Sequence, residues 1–400
     1  MTAIHPALAG GPIYLDYHAT TPVDPAVVEA VQPYLLHHFG NPSSSYPYGA
    51  SARRALEQAR AQVATLLGVD ADGIVFCGSG SEANNLALRG TVLASGIERP
   101  HVITQVTEHP AVLATCRALQ RWHGVRVTYL PADGDGLVDP AALADAITPD
   151  TVLVSVMAAN NETGVLQPLT ELTRIAHAHG IPVHTDAAQA AGKIPFNVAE
   201  IGVDLCTVVG HKMYAPKGIA ALHVRPGLAV EPLIYGGGQE HGHRAGTENV
   251  AYAVGLGAAA QRCTDELAAG EPQRLGALRD RLHRHLADGL PTPVIVNGHP
   301  EQRLPHTLNI STTGLRGDDL LAATPQVAAS TGSACHAGTT EPSPVLSAMG
   351  YDPARALAAV RLSLGRWSTV DEIDRAADLV TTAARTVLTR NGVETNDGAR

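Results

Sequence analysis

From Ile74 to Val224 the chain alternates between two textures. Short runs rich in β-branched residues (IVFC, HVITQV, VRVTYL, TVLVSVM, IPVHTD, LCTVV and IAALHV) are separated by longer Ala/Leu/Arg segments with helical spacing. PAVLATCRALQRWHG and LTELTRIAHAHG are two of these segments, and both end on glycine, as helices do. The strand-like runs are apolar on both faces, so each must be covered from two sides. That requirement predicts an α/β fold with a mainly parallel seven-stranded sheet covered by helices. LCTVV and IAALHV are joined by a short connection, which predicts one antiparallel strand.

Beyond about Gly255 the pattern changes. Long helical segments precede sparser strands (VIVNG, HTLNIST, AVRLSLG) and a final helix near VDEIDRAADLVTTAARTVL. We expect a large domain over residues 15–260. Residues 1–14 and 261–400 then form a smaller α+β C-terminal domain, ending in a polar tail. Composition narrows the function classes. Hydrophobic content of 45% with 16% charged residues is globular, and aromatics at 4% leave Ala, Val and Leu to build the core. A net charge of −10 argues against nucleic-acid or anionic-membrane partners. The N-terminus lacks the pattern of a signal peptide, and no apolar run is long enough to span a bilayer. The five cysteines are scattered and form no C-x-x-C pair, which points to a reduced, cytoplasmic protein without a zinc ribbon.

Candidate chemistry gathers where strands end. CGSGSEANN follows IVFC and opens a helix near Ser81. Small residues there admit a phosphate to the free N–H groups at the helix start, although a plain strand-to-helix turn fits equally well. Asp186 ends IPVHTD at a crevice position, but it could equally cap a helix starting near Ala187, with Gln189 at capping-box spacing. LCTVV empties into Gly210, His211 and Lys212. A lysine at the mouth of a buried strand can lose charge by desolvation and act as an amine nucleophile. Pyridoxal phosphate requires a lysine for its aldehyde, an acid for its ring nitrogen, a phosphate cradle and a ring platform. Lys212, Asp186 and GSGS supply three of these, and His109 in VTEHPAVL is a candidate for the fourth. Cys335 lies in the small, polar stretch STGSACHAGTT, a poor setting for a core cysteine and a suitable one for a nucleophile. Arg361 interrupts the apolar strand AVRLSLG and suits a substrate carboxylate, or else a buried ion pair.

The motifs TEHPAV, NNETG, HTDAAQ, GHKMYAPKG, GGGQE, RAGTEN and STGSAC occur together in this chain. In them the chain resembles the pyridoxal-phosphate-dependent cysteine desulfurases of aminotransferase class V and the related selenocysteine lyases. The resemblance runs from YLDYHATTPVDP to VRLSLGRWST and implies the pyridoxal-phosphate fold type I. It implies that Lys212 binds pyridoxal 5'-phosphate covalently, that Asp186 pairs with the ring nitrogen, and that Gln189 pairs with the phenolic oxygen. His109 would stack on the ring and shuttle protons. The phosphate would be held by Gly80, Ser81, His211 and Thr247, the last reaching over from the second subunit of a homodimer. Asn160 and Arg361 would hold the carboxylate of L-cysteine (or L-selenocysteine). Cys335 would take the sulfur as a persulfide and pass it to a sulfur-acceptor protein, as in sulfur mobilisation for iron–sulfur cluster assembly. The chain departs from the family at three places. Its phosphate turn reads CGSGSE, Val209 replaces a common phosphate-binding serine, and His18 stands where Ser or Asn is usual. Lys217, beyond a Pro-containing turn, is expected to be structural or solvent-facing.

Overall fold

The structure is a computed structural model, and it describes residues 4–332 and 341–390. Seven strands form its main sheet: β2 (Ile74–Cys77), β3 (His101–Gln105), β4 (Arg126–Leu130), β5 (Thr151–Ser155), β6 (Val183–Asp186), β7 (Leu205–Val209) and β8 (Ala220–Val224). Their spatial order is β2-β8-β7-β6-β5-β3-β4. Each apolar run of the sequence therefore supplies one strand. Six strands point the same way, and β8 alone is reversed, pairing antiparallel with both β7 and β2. The tight link from β7 to β8 accounts for that reversal, because it has no room for a crossover helix.

Helices cover both faces of the sheet and divide its packing into two apolar cores. The helix Gly80–Ala94 follows β2 and is capped by Ser79, whose Oγ accepts from Glu82 N at 3.1 Å. The helix Pro110–His123 follows β3 and has His109 as its N-cap; it ends at Gly124, whose φ of +64° only glycine adopts freely. The segment after Asp186 differs from expectation. Residues 188–193 form successive turns, not a helix, and Gly192 at φ +71° breaks any helical run.

A smaller sheet has the order β12-β10-β9, from β9 (Val294–Val296), β10 (Thr307–Thr312) and β12 (Ala359–Ser363), all antiparallel. Two short strands, β1 (Ile13–Tyr14) and β11 (Val327–Ala328), pair in parallel nearby. A separate leucine-rich core joins this sheet to the helices Glu271–Gly289 and Val370–Arg390. A division at residue 260 would cut the helix Val250–Ala268, which packs into the main core through Leu256, Ala259, Ala260 and Cys263. We therefore propose the boundary at Gly270, where φ is +85° and the next helix starts. Residues 15–21 run between the two sheets and approach both. Among the described residues, no helix is long and apolar enough to cross a membrane.

Candidate active site

The carboxyl ends of β3, β5, β6 and β7 open on one cavity of about 280 Å3. It is lined by Gly80, Ser81, His109, Asp186, Gln189, His211, Lys212 and Arg361, among others. An open α/β sheet places a crevice at this edge, because the helices that follow adjacent strands diverge there. Eight of the residues singled out in the sequence thus meet in one place.

Lys212 sits on the short 3-10 turn Gly210–Lys212 that closes β7. Its Nζ donates to the carbonyls of His18 and Ala19, the second at 2.9 Å. These carbonyl dipoles hold the amine at the cavity wall. Beyond it the backbone turns sharply, with Tyr214 at φ +64°, a conformation held by Tyr214 N donating to Thr21 Oγ1 at 2.8 Å. His211 shares its Nδ1 with Thr20 Oγ1 at 3.1 Å. Burial, with Lys212 and Lys217 nearby, pushes its pKa down to about 4, so the ring is neutral at pH 7.

Asp186 is the last residue of β6. Its Oδ2 accepts from Asn84 Nδ2 at 2.7 Å and its Oδ1 from Ala188 N at 3.0 Å. Each oxygen keeps a second lone pair, so capping the turn and facing the cavity are compatible. Glu108, enclosed behind His109, is pushed up to about 8 by burial and stands as a neutral acid that adds no charge beside Asp186. Gln189 is held by its Nε2, which donates to His18 O at 3.2 Å. His109 Nδ1 accepts from Ala111 N at 3.1 Å, so the ring proton of the neutral form lies on Nε2. Burial lowers the His109 pKa, with Lys212 adding to the effect and Asp186 opposing it.

The helix Gly80–Ala94 presents its first turn to the cavity, with the N–H groups of Gly80 and Ser81 there. Glycine at 80 is required by a close approach: a Cβ there would lie 2.5 Å from Val209 Cγ2. Val209 thus fills the space under the turn with a methyl where a serine would offer a hydroxyl. Glu82 in the same turn is occupied elsewhere, by Gly78 N at 2.9 Å and Arg244 Nε at 2.9 Å.

Arg361 lies mid-strand on β12, only 1% exposed, and forms the opposite wall. Its Nη2 donates to Asp16 Oδ1 at 2.6 Å and its Nη1 to Asn161 O at 2.8 Å. Nε has no partner among the described residues. The buried ion pair of the sequence reading is present, and Nε keeps an unused hydrogen.

Asn160 is not brought to the cavity lining. Its side chain points into the NNETG turn, where Oδ1 accepts from Glu162 N at 2.8 Å and Thr163 N at 3.0 Å, and Nδ2 donates to Thr107 O at 3.1 Å. These bonds engage both polar atoms of the amide, and the neighbour Asn161 lines the cavity. Thr247 is exposed and does not line the cavity of its own chain. Cys335 lies outside the described residues. Lys217 is exposed and does not line the cavity. Sequence reasoning missed Asn84, Asn161, Asp16 and His18 as site neighbours. Asn84 carried a readable signal, a polar residue between Ala83 and Leu86 on the buried side of its helix.

Comparison with known proteins agrees with the geometry. The family described as Aminotransferase class-V matches residues 13–376. The chain is 43% identical over 370 residues to a protein of Mus musculus named cysteine desulfurase, covering 92% of this chain and 80% of that one. It is 44% identical over 372 residues to cysteine desulfurase IscS of Rickettsia felis, covering 92% of this chain and 90% of that one. Among solved structures, a NifS-like protein superimposes with a TM-score of 0.87 at 34% identity, over 94% of this chain and 100% of that one. A structure of SspA in complex with cysteine does so at 0.79 and 35% identity, over 89% and 99%.

Proposed function

The chain belongs to the aminotransferase class-V family, and on that premise we propose that it is a pyridoxal-phosphate-dependent cysteine desulfurase, converting L-cysteine to L-alanine. One observation carries the reading. An amine, a carboxylate, an amide, an imidazole and a helix N-terminus surround a single cavity, with a buried arginine on the far wall. That donor set fits pyridoxal phosphate: Lys212 for the aldehyde, Asp186 for the ring nitrogen, Gln189 for the phenolic oxygen, His109 for the ring face. Gly80, Ser81 and His211 would hold the phosphate, and the pinched approach of Gly80 to Val209 leaves that turn without an obstructing side chain.

When bound, the cofactor supplies an electron sink for charge released at the substrate Cα. Asp186 keeps a proton on the ring nitrogen, and its two hydrogen bonds to Asn84 and Ala188 hold the carboxylate in place for that task. Arg361 and Asn161 orient the substrate through its carboxylate, with Asp16 steadying the guanidinium from behind. Lys212 Nζ would be the base that takes the substrate Cα proton and later returns one. His109 Nε2 carries the proton available on the other side of the site. Cys335 takes the sulfur: its thiolate forms the S–S bond, the substrate Cβ–S bond breaks, and the electron pair stays on Cβ, which is protonated to the methyl of alanine. The persulfide then passes to an acceptor protein. A homodimer, with Thr247 contributed from a second copy, completes the phosphate site. The described cysteines are all free and buried, in keeping with a reduced, cytoplasmic setting.

The test is alanine release from L-cysteine by the holoenzyme in the presence of a thiol reductant. The wild type is expected to form alanine and sulfide in equal amounts, and Cys335→Ala to form neither. Negligible turnover of cysteine beside fast turnover of L-selenocysteine would replace this reading with a selenocysteine lyase. Unchanged cysteine turnover in Cys335→Ala would remove the persulfide step.

A further inference from the structure

His18, at the chain's departure from the usual Ser or Asn, is 1% exposed yet lines the cavity, and the mechanism above makes no use of its ring. Its Nδ1 lies 3.0 Å from the carbonyl oxygen of Asn161. A carbonyl can only accept, so Nδ1 carries the proton and donates. The same oxygen receives Arg361 Nη1 at 2.8 Å. On the other side of the ring, Nε2 lies 2.8 Å from Thr307 Oγ1 and 3.0 Å from His306 Nε2. With the ring neutral, Nε2 is an acceptor, and the Thr307 hydroxyl and His306 N–H converge on its lone pair. Burial favours that neutral form, with His306, Arg361 and Lys212 adding to it. His306 completes the order: its Nε2 faces His18, while its Nδ1 has no partner among the described residues. The main chain of His18 is tied independently, its N–H to Ser363 Oγ at 3.0 Å and its carbonyl to Gln189 and Lys212. Replacing the ring therefore leaves the lysine's carbonyl contacts in place.

We propose that His18 is a positioning residue for the substrate carboxylate: its Nδ1–H clamps the Asn161 carbonyl on which Arg361 rests, and so holds the Asn161–Arg361 pair in the geometry that receives an α-carboxylate. This inference rests on the desulfurase reading, in which that pair meets the substrate. The chain Thr307/His306 to His18 to Asn161 to Arg361 to Asp16 then forms one hydrogen-bonded lattice that joins the small-sheet strands β10 and β12 to residues 16, 18 and 161. Its order depends on which ring nitrogen of His18 donates.

The experiment compares His18→Asn, whose amide N–H reaches the Nδ1 position, with His18→Gln, whose amide reaches the Nε2 position. Each holoenzyme is titrated with L-alanine and with ethylamine, the same amine without its carboxylate, and binding is read from the visible absorption of the bound cofactor. In His18→Gln the preference for alanine over ethylamine is expected to fall about tenfold, the scale of one hydrogen bond beside a charged group. In His18→Asn the preference is expected to survive, and ethylamine binding to hold in both variants. Retention of the preference in His18→Gln overturns the inference, as does its equal loss in His18→Asn or parallel weakening of both ligands. A wild type that shows no preference for alanine overturns the carboxylate site itself.

Discussion

The two walls of the cavity are built on different principles. On the large-sheet side, Asp186 and Lys212 stand at or just past the last residue of a strand, and His109 and Ser81 at the start of a helix. Asp186, His109 and Lys212 each bond at least one backbone group while lining the cavity. On the small-sheet side, Arg361 is locked in mid-strand within side-chain bonds that reach Asp16, 345 residues away in sequence. Strand ends and turns place the side chains of the first wall, although Lys212 and Gln189 are then tied to the backbone of residues 18 and 19 and Asp186 to Asn84, whereas the placement of Arg361 depends throughout on distant segments. Chemistry that must move protons and exchange bonds falls to the first, and orientation falls to the second.

The largest effect that sharpens this contrast comes from the first wall. Lys212→Ala removes the amine for attachment and for proton transfer, and alanine formation is expected to fall at least about a thousandfold while the protein still folds. On the second wall, Arg361→Lys keeps the charge but loses the planar fork. A rise of roughly fiftyfold in KM for cysteine is expected, with a smaller change in kcat. A comparable loss of kcat at unchanged KM would break the division of labour between the walls.

Much of the first wall was readable from residues alone, because a strand followed by Gly-His-Lys or by Thr-Asp sets the side chain's place within a few residues. Arg361 was readable as an anomaly in an apolar strand, but its partners were not. No local pattern ties position 16, 18 or 161 to position 361. Asn160 and Asn161 show the limit most directly. Two adjacent identical residues differ only in which one the NNETG turn directs inward, and that is settled by hydrogen bonds to Glu162 N and Thr163 N. Most of the seven strands were legible because burial on both faces leaves a continuous apolar run, whereas β4, at the sheet edge, is buried only at Leu130. The turns after Asp186 were not, since Ala-rich sequence has helical propensity and only Gly192 disagrees.

Beneath the first wall, His184 bridges Ser155 Oγ at 2.9 Å and Thr207 Oγ1 at 3.2 Å, and burial pushes its pKa down to about 4. The unfolded chain takes a proton near pH 6.5 that the folded chain refuses. Stability from this group is therefore complete above about 6.5 and is lost as pH falls towards 4, by about 3 kcal/mol in total. Urea unfolding across that range should show the loss, and His184→Asn should flatten the slope. A slope unchanged in the variant would mean that the strand beneath the site is not a dry, neutral layer. The smallest effect concerns Val209. Val209→Ser restores a hydroxyl under the phosphate turn and is expected to tighten pyridoxal phosphate binding by about tenfold, measured as the dissociation constant of the cofactor. No change would mean that the helix N-terminus already satisfies the phosphate.

The central claim is that the lysine at the mouth of β7 holds the cofactor. The chain has only three lysines, Lys193, Lys212 and Lys217, so the claim has few competitors. Lys193 is buried with its Nζ 3.9 Å from the centre of the Tyr214 ring, and Lys217 is exposed on the turn. Borohydride reduction of the protein with its pyridoxal phosphate, followed by peptide mass mapping, decides among them. The account predicts loss of the visible absorption band and a pyridoxyl mass addition on Lys212. Modification of Lys193 or Lys217 in its place, or of none, would contradict it.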